Sequence, residues 1–243
     1  QDHRNPHPAV GFRVTKAVLF DLGDTVFRLL PMADVREEFA RLLSSEGVED
    51  SDDEASRILE TFRERLMAGY ARGEFLEPTV ASLVQPFIGV DPRSKRLAEG
   101  LDRLLGEADI ARWSQVEQRD EIFDAIRSRG LKVGFVSNTL TAPALMRRRL
   151  AEFALLDRAE AAIFSVEHGV RKPNPVIYRA ALNAIDSDSA DVVFVGDRVR
   201  EDVRGPQSAG MRAVLTHEFR QEEPQDSNPF GVISHLSEIL ELL

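Results

Sequence analysis

Hydrophobic positions along the chain follow two textures. From 16 to 26, and again from about 113 onward, short continuous apolar runs alternate with amphipathic stretches; between about 33 and 112 only a helical period is present. Val18, Leu19 and Phe20 make the first apolar run, as expected of a central strand in a parallel sheet covered on both faces. Runs at 132–136, 161–165, 191–195 and 212–215 predict four more strands. Between them, 119–129 places Ile122, Phe123 and Ile126 on one side of a helix, with Gly130 suited to its C-terminal cap. A helix over 144–153 has Pro143 near its start, and Asn174 and Pro175 suit the cap and first position of a helix through Ala181. Strand and helix alternate throughout, which predicts an α/β fold with a mostly parallel sheet. A polar loop at 221–229 precedes a last apolar helix over 236–243.

The middle region reads as helices only. Val35, Phe39, Leu42 and Leu43 share one face, and Ile58, Leu59, Phe62, Leu66 and Tyr70 another, with a start at Ser51, Asp52 and Asp53 and a stop at Gly73. Further helices are expected over 79–87 and 92–105. Arg57, Glu60, Arg63 and Arg65 read as a solvated face, and Tyr70, Phe75, Phe87 and Trp113 as core residues. Residues 1–15 are polar and contain prolines, which predicts a flexible tail in which His3 and His7 carry no role. The expected organisation is tail 1–15, catalytic core 16–32 with 113–243, and helical insert 33–112.

Charge and composition narrow the function. A formal net charge of -10 argues against non-specific nucleic-acid binding, which needs a basic face. No apolar run is long enough to span a bilayer, so no membrane partner is expected. The absence of cysteine excludes disulfides and thiolate chemistry, and fits a cytoplasmic protein.

The candidate chemistry lies just after the predicted strands. Asp21 and Asp24 follow the first, Ser137, Asn138 and Thr139 the second, Lys172 the loop after the third, and Asp197 and Asp202 the fourth. Each alone reads as a turn residue, a cap or a solvated charge. On successive strands they point to one site at the carboxyl edge of the sheet, where open α/β sheets bind ligands. Asp21, Asp197 and Asp202 make an all-oxygen set suited to Mg²⁺. A carboxylate can also attack phosphorus. Lys172 would offset the negative charge this brings together, while Ser137 and the amides of Asn138 and Thr139, near a helix N-terminus, would hold phosphoryl oxygens.

The succession DLGDT, VSN, GVRKPNP, GDRVRED and GPQSAGM resembles the motifs of the haloacid dehalogenase superfamily, in the branch with a helical cap inserted after the first motif. The resemblance runs from Lys16 to about Thr216. It implies a Rossmann-like core, Mg²⁺ dependence and phosphatase activity on a small phosphorylated metabolite. By position it implies that Asp21 is nucleophile and metal ligand, that Ser137 and Asn138 hold the phosphoryl group, and that Lys172 balances charge. The Gly23 backbone carbonyl, Asp197 and Asp202 would hold the metal, directly or through water, and 33–112 would be a mobile cap. One position departs from the pattern. Family phosphatases carry an acid/base aspartate two residues after the nucleophile, and Gly23 stands there, with Asp24 one step later. Either Asp24 takes over that role or it is a turn residue. A 2-haloacid dehalogenase, or a catalytically weak member with a binding or regulatory role, are the alternatives.

Overall fold

All five expected strands form and join one parallel sheet, in a computed structural model that describes residues 14–243. In chain order the strands are β1 (Ala17–Phe20), β2 (Arg28–Leu29), β3 (Trp113–Ser114), β4 (Lys132–Ser137), β5 (Ala161–Phe164), β6 (Val192–Gly196), β7 (Arg212–Thr216) and β8 (Gly231–Ile233). The α-helices are α1 (Arg36–Ser45), α2 (Ser51–Ala71), α3 (Val80–Ile88), α4 (Pro92–Ala111), α5 (Arg119–Ser128), α6 (Pro143–Glu152), α7 (Ser165–His168), α8 (Pro175–Ala184), α9 (Gly205–Ser208) and α10 (Ile239–Leu242). The six-stranded sheet has the order β5-β4-β1-β6-β7-β8. Both faces are covered, which is why the strands read as unbroken apolar runs. Val18 and Phe20 pack with Phe123, Ile126 and Met146 on one face, while Ala17 and Leu19 pack with Ile177, Tyr178 and Ala181 on the other.

β1 pairs with β4 on one side and β6 on the other, so its end at Asp21 lies between the ends of those strands. Just past it the chain leaves the sheet through β2 and returns through β3. These two short segments pair antiparallel, Leu29 opposite Trp113, with the Trp113 ring stacked on Phe27 at 4.8 Å. Between them α1 to α4 pack around their own apolar cluster, which includes Phe39, Ile58, Phe62, Leu83 and Leu101. The helices touch the rest of the chain again near Leu76, which bridges antiparallel to Val170, with Arg171 N–H donating to the Phe75 carbonyl at 2.9 Å.

Several expectations need correction. Phe75 is 47% exposed, because its segment is extended backbone paired to the 169–171 loop and no helix face carries the ring inward. Tyr70 is half-buried beneath the Arg171 guanidinium, and Phe87 lies under Arg57 and Arg65; Trp113 is buried as expected. β8 is an additional strand at the sheet edge, too short and too exposed at Val232 to mark itself as an apolar run. α4 continues past 105 to Ala111, which carries Asp109 and Arg112 toward the sheet. Thr15 belongs to the fold and not to a tail, since it is buried and its hydroxyl accepts from Arg212 at 2.7 Å. His3 and His7 lie outside the described residues. Among the described residues no helix is long and apolar enough to cross a membrane.

Candidate active site

Three carboxylates and one ammonium meet at the ends of β1 and β6. Asp21 ends β1, with its N–H bonded to the Val195 carbonyl of the neighbouring strand at 2.9 Å. Asp197 follows β6 at once, and a wide helical turn over Val199–Arg204 carries Asp202 back to the same place. Carboxylate oxygens of Asp21, Asp197 and Asp202 lie within 4.8 Å of one another. A side chain at Gly196 would overlap the Asp202 carboxylate, so this close return needs a glycine there. Lys172 Nζ donates to Asp21 Oδ1 at 2.6 Å and to Asp202 Oδ1 at 2.7 Å. All four side chains are nearly enclosed.

Electrostatics here follow from burial. Burial, then the Asp202 charge, raise Asp21 to about 6 against the pull of Lys172. Burial and the two other carboxylates raise Asp197 to about 7. Burial also raises Asp202, with Lys172 opposing. For Lys172, burial works against the charge, but Asp202 and Asp21 outweigh it and hold the ammonium above its ordinary value. Lys172 and, at Asp197, the Arg220 guanidinium offset only part of the charge of three crowded carboxylates, whose clustered oxygens suit a small hard cation.

Asp24 is engaged elsewhere. It sits at φ +54°, a left-handed turn position that Asp tolerates, and its Oδ1 accepts from the Leu29 N–H at 3.0 Å. Its Oδ2 accepts from Arg220 Nη2 at 3.0 Å, while Arg220 Nε donates to Asp197 Oδ2 at 2.5 Å. Arg220 therefore ties the turn after β1 to the end of β6. Sequence reasoning missed it. It lies in the polar loop after β7, which is pinned by Glu218 accepting from Arg119 at 2.7 Å and from the Leu236 N–H at 2.8 Å. The signal was available, since the loop after a fifth parallel strand must emerge at the same edge. Thr25 is fully buried, and its hydroxyl has no hydrogen-bond partner among the described residues.

The segment after β4 differs in part from expectation. Ser137 is buried and faces the cavity that Asp21 and Lys172 line. Asn138 spends its side chain on Lys172: Oδ1 accepts the Lys172 N–H at 2.7 Å and Nδ2 donates to its carbonyl at 3.1 Å. The Thr139 amide, expected to bind phosphoryl oxygen, donates to Ser165 Oγ at 2.8 Å and is unavailable. The Thr139 hydroxyl accepts from the Thr141 N–H at 2.9 Å. α6 begins at Pro143, six positions after Ser137, and reaches the cavity through Met146. Ser137 and Asn138 both line the cavity.

That cavity has a volume of about 280 Å³. Its wall joins Asp21, Gly23, Ser137 and Lys172 to Tyr70, Asp109 and Arg112 from the helical segment. Arg171 adds a guanidinium 3.5 Å from the Tyr70 ring centroid.

Known proteins share this chain's sequence pattern and fold. A phosphoserine phosphatase of Thermus thermophilus is 27% identical over 249 residues, covering 92% of this chain and 97% of that protein. The crystal structure of a HAD phosphatase from Thermococcus onnurineus superposes with a TM-score of 0.63 at 22% identity, covering 94% of this chain and 97% of the other. A 2-haloacid dehalogenase from Pseudomonas syringae pv. Tomato superposes at 0.67, also at 22% identity, covering 94% and 98%. At such identities the structures speak for the fold alone, and it is the fold whose strand ends were just described. The sequence profile of the haloacid dehalogenase-like hydrolases matches residues 15–210, from β1 through the β6 turn, and the chain belongs to that family.

Proposed function

We propose that the chain is a Mg²⁺-dependent phosphohydrolase of small phosphomonoesters that works through an aspartyl phosphate on Asp21. The observation that carries this reading is the Lys172 ammonium bonded to Asp21 and Asp202 with Asp197 beside them. In this reading 16–32 and 113–243 form the catalytic core and 33–112 a cap that closes over it. Asp21 attacks phosphorus; the new O–P bond forms as the ester P–O bond breaks, and the electron pair leaves on the alcohol oxygen. Water then attacks the phosphorus, giving phosphate and restoring the carboxylate. The Ser137 hydroxyl and the Asn138 N–H hold phosphoryl oxygens, and the Asn138 side chain fixes the Lys172 backbone so that the ammonium stays on Asp21. Asp21, Asp197 and the Gly23 carbonyl would hold the metal, with Asp202, both of whose oxygens already accept hydrogen bonds, acting through water. When bound, Mg²⁺ supplies the positive charge that lets a phosphate approach three carboxylates.

Metal removal tests the reading. Excess chelator should abolish phosphate release from acetyl phosphate, and Mg²⁺ should restore it. Mg²⁺ should also raise the thermal midpoint, because a ligand bound only by the folded state stabilises it. Chelator-indifferent release of chloride from a 2-haloacid would favour the dehalogenase reading instead.

The Asp24 contacts support a turn role over an acid/base role. Asp24→Asn keeps the oxygen that caps Leu29, so it should cost less than about tenfold, against the roughly 10²–10⁴-fold of a lost proton donor. Gly23→Asp should raise turnover of alkyl phosphates. The new Cβ would meet only the tip of Leu29, at 2.8 Å from Cδ1, which can move aside. A nearly dead Asp24→Asn that still binds Mg²⁺ would reverse the assignment.

A further inference from the structure

A second cavity, of about 240 Å³, adjoins the catalytic one. The two share Tyr70, Asp109, Arg112, Asn138 and Thr139, so a group held at Asp21 and Ser137 has the second chamber directly beside it. Away from those shared residues its wall is mostly apolar, with Phe62, Leu66, Val80 and Leu105 from the helical segment, Met32 from the stretch leading into it and Leu140 from the loop after β4; Asp102 and Thr141 are its polar members. Past Val80, Asp102 and Leu140 it continues into a larger cavity of about 550 Å³ between α3, α4 and the Ala142–Pro143 corner.

We propose that this chamber receives the organic part of the substrate, and that the substrates are phosphomonoesters of an apolar, ring-sized alcohol whose oxygen leaves without being protonated, as in aryl phosphates. The proposal rests on the phosphohydrolase reading above and names its substrate class.

Three observations converge on it. An apolar cavity of about 150 Å³ holds a benzene ring, so the chamber takes a substituted ring, with room for a substituent in the larger cavity beyond. Its charges disfavour a second anion. Asp102 and Asp109 line it, and the one cation among its described lining residues, Arg112, is already bonded to Asp109 at 3.1 Å. Finally, the position where family phosphatases place their proton donor is Gly23, and Asp24 is bonded to Leu29 and Arg220. A phenol ionises near the tyrosine value of about 10, so its oxygen can depart as the phenolate while the P–O pair stays with it. An alkoxide cannot do so readily.

Binding separates the chamber from leaving-group chemistry, because the C–P bond of a phosphonate is not cleaved. Calorimetry with Mg²⁺ should find phenylphosphonate bound about 10- to 100-fold more tightly than methylphosphonate, the range expected for burying one ring. Phosphonoacetate, which carries a carboxylate, should bind more weakly than phenylphosphonate. Leu66→Gln should bring the phenyl-to-methyl ratio toward one. Met32→Glu should do the same from a side chain that is 41% exposed, where folding is not at stake. Equal binding of the phenyl and methyl compounds, tightest binding of phosphonoacetate, or a ratio untouched by both substitutions would overturn the proposal. Phosphate release from acetyl phosphate, which has no ring, reports separately on the phosphohydrolase reading. An enzyme that hydrolyses it yet binds both phosphonates equally keeps that reading and loses this one.

Discussion

Asp21→Asn is expected to lower phosphate release by at least about 10⁴-fold on every substrate, since removing a covalent nucleophile can cost on the order of 10⁶. An amide oxygen in the same place has neither the charge nor the nucleophilicity to attack phosphorus. The loss should not come from unfolding. Burial and the neighbouring Asp202 raise the Asp21 carboxyl to about 6, so its charged form is less at ease in the fold than in the unfolded chain, and a neutral isostere relieves that. Lys172 keeps its bond to Asp202 in the variant. The thermal midpoint without metal should therefore be no lower than that of the wild type, and phosphate release by steady-state assay should be near background. Substantial turnover by a folded Asp21→Asn protein would refute covalent catalysis.

Lys172→Ala should show two separate losses. The first is catalytic: a cation that stabilises charge in phosphoryl transfer is worth about 10³–10⁵-fold. The second is structural. Lys172 is 2% exposed and bonded to two buried carboxylates, and removing one partner of a buried charge set costs about 3–5 kcal/mol. Part of this returns as Asp21 and Asp202 take up protons, a change that their upward shifts already favour. Mg²⁺ should recover much of the stability, because it also answers the carboxylate charge. It should not recover the rate, because the ammonium bonded to Asp21 is gone. Thermal unfolding and turnover measured over one Mg²⁺ series would separate the two, and a rate restored to wild type by Mg²⁺ would contradict the role given to Lys172.

Much of the site was legible because most of its parts follow strands buried on both faces. Asp21, Ser137 and Asp197 end or follow such strands, and adjacency in the sheet brings them together. What the sequence could not display depends on pairings between loops. The Asn138 side chain meets the backbone of Lys172 across 34 positions, which no local pattern predicts. Arg220 looks like one more charge in a polar loop until Glu218, Arg119 and Leu236 fix that loop against the sheet edge. The Thr139 amide is taken by Ser165, from the end of the adjacent β5, and local sequence gives no hint of that competition. Phe75 misled for a related reason: hydrophobicity predicts burial, but backbone pairing to Gly169–Arg171 turned the ring outward.

The covalent intermediate is the central claim, and it can be weighed directly. The enzyme is mixed with phenyl phosphate and Mg²⁺, quenched in acid within the first turnovers, and its intact mass and peptides are measured. With no proton donor or base at Gly23, hydrolysis of the intermediate should be slow enough for it to accumulate. One added phosphoryl group on the peptide carrying Asp21, absent from Asp21→Asn, is the predicted result. Phosphate release with no phosphoryl group on the protein at any time, or a phosphoryl group on another residue, would contradict it.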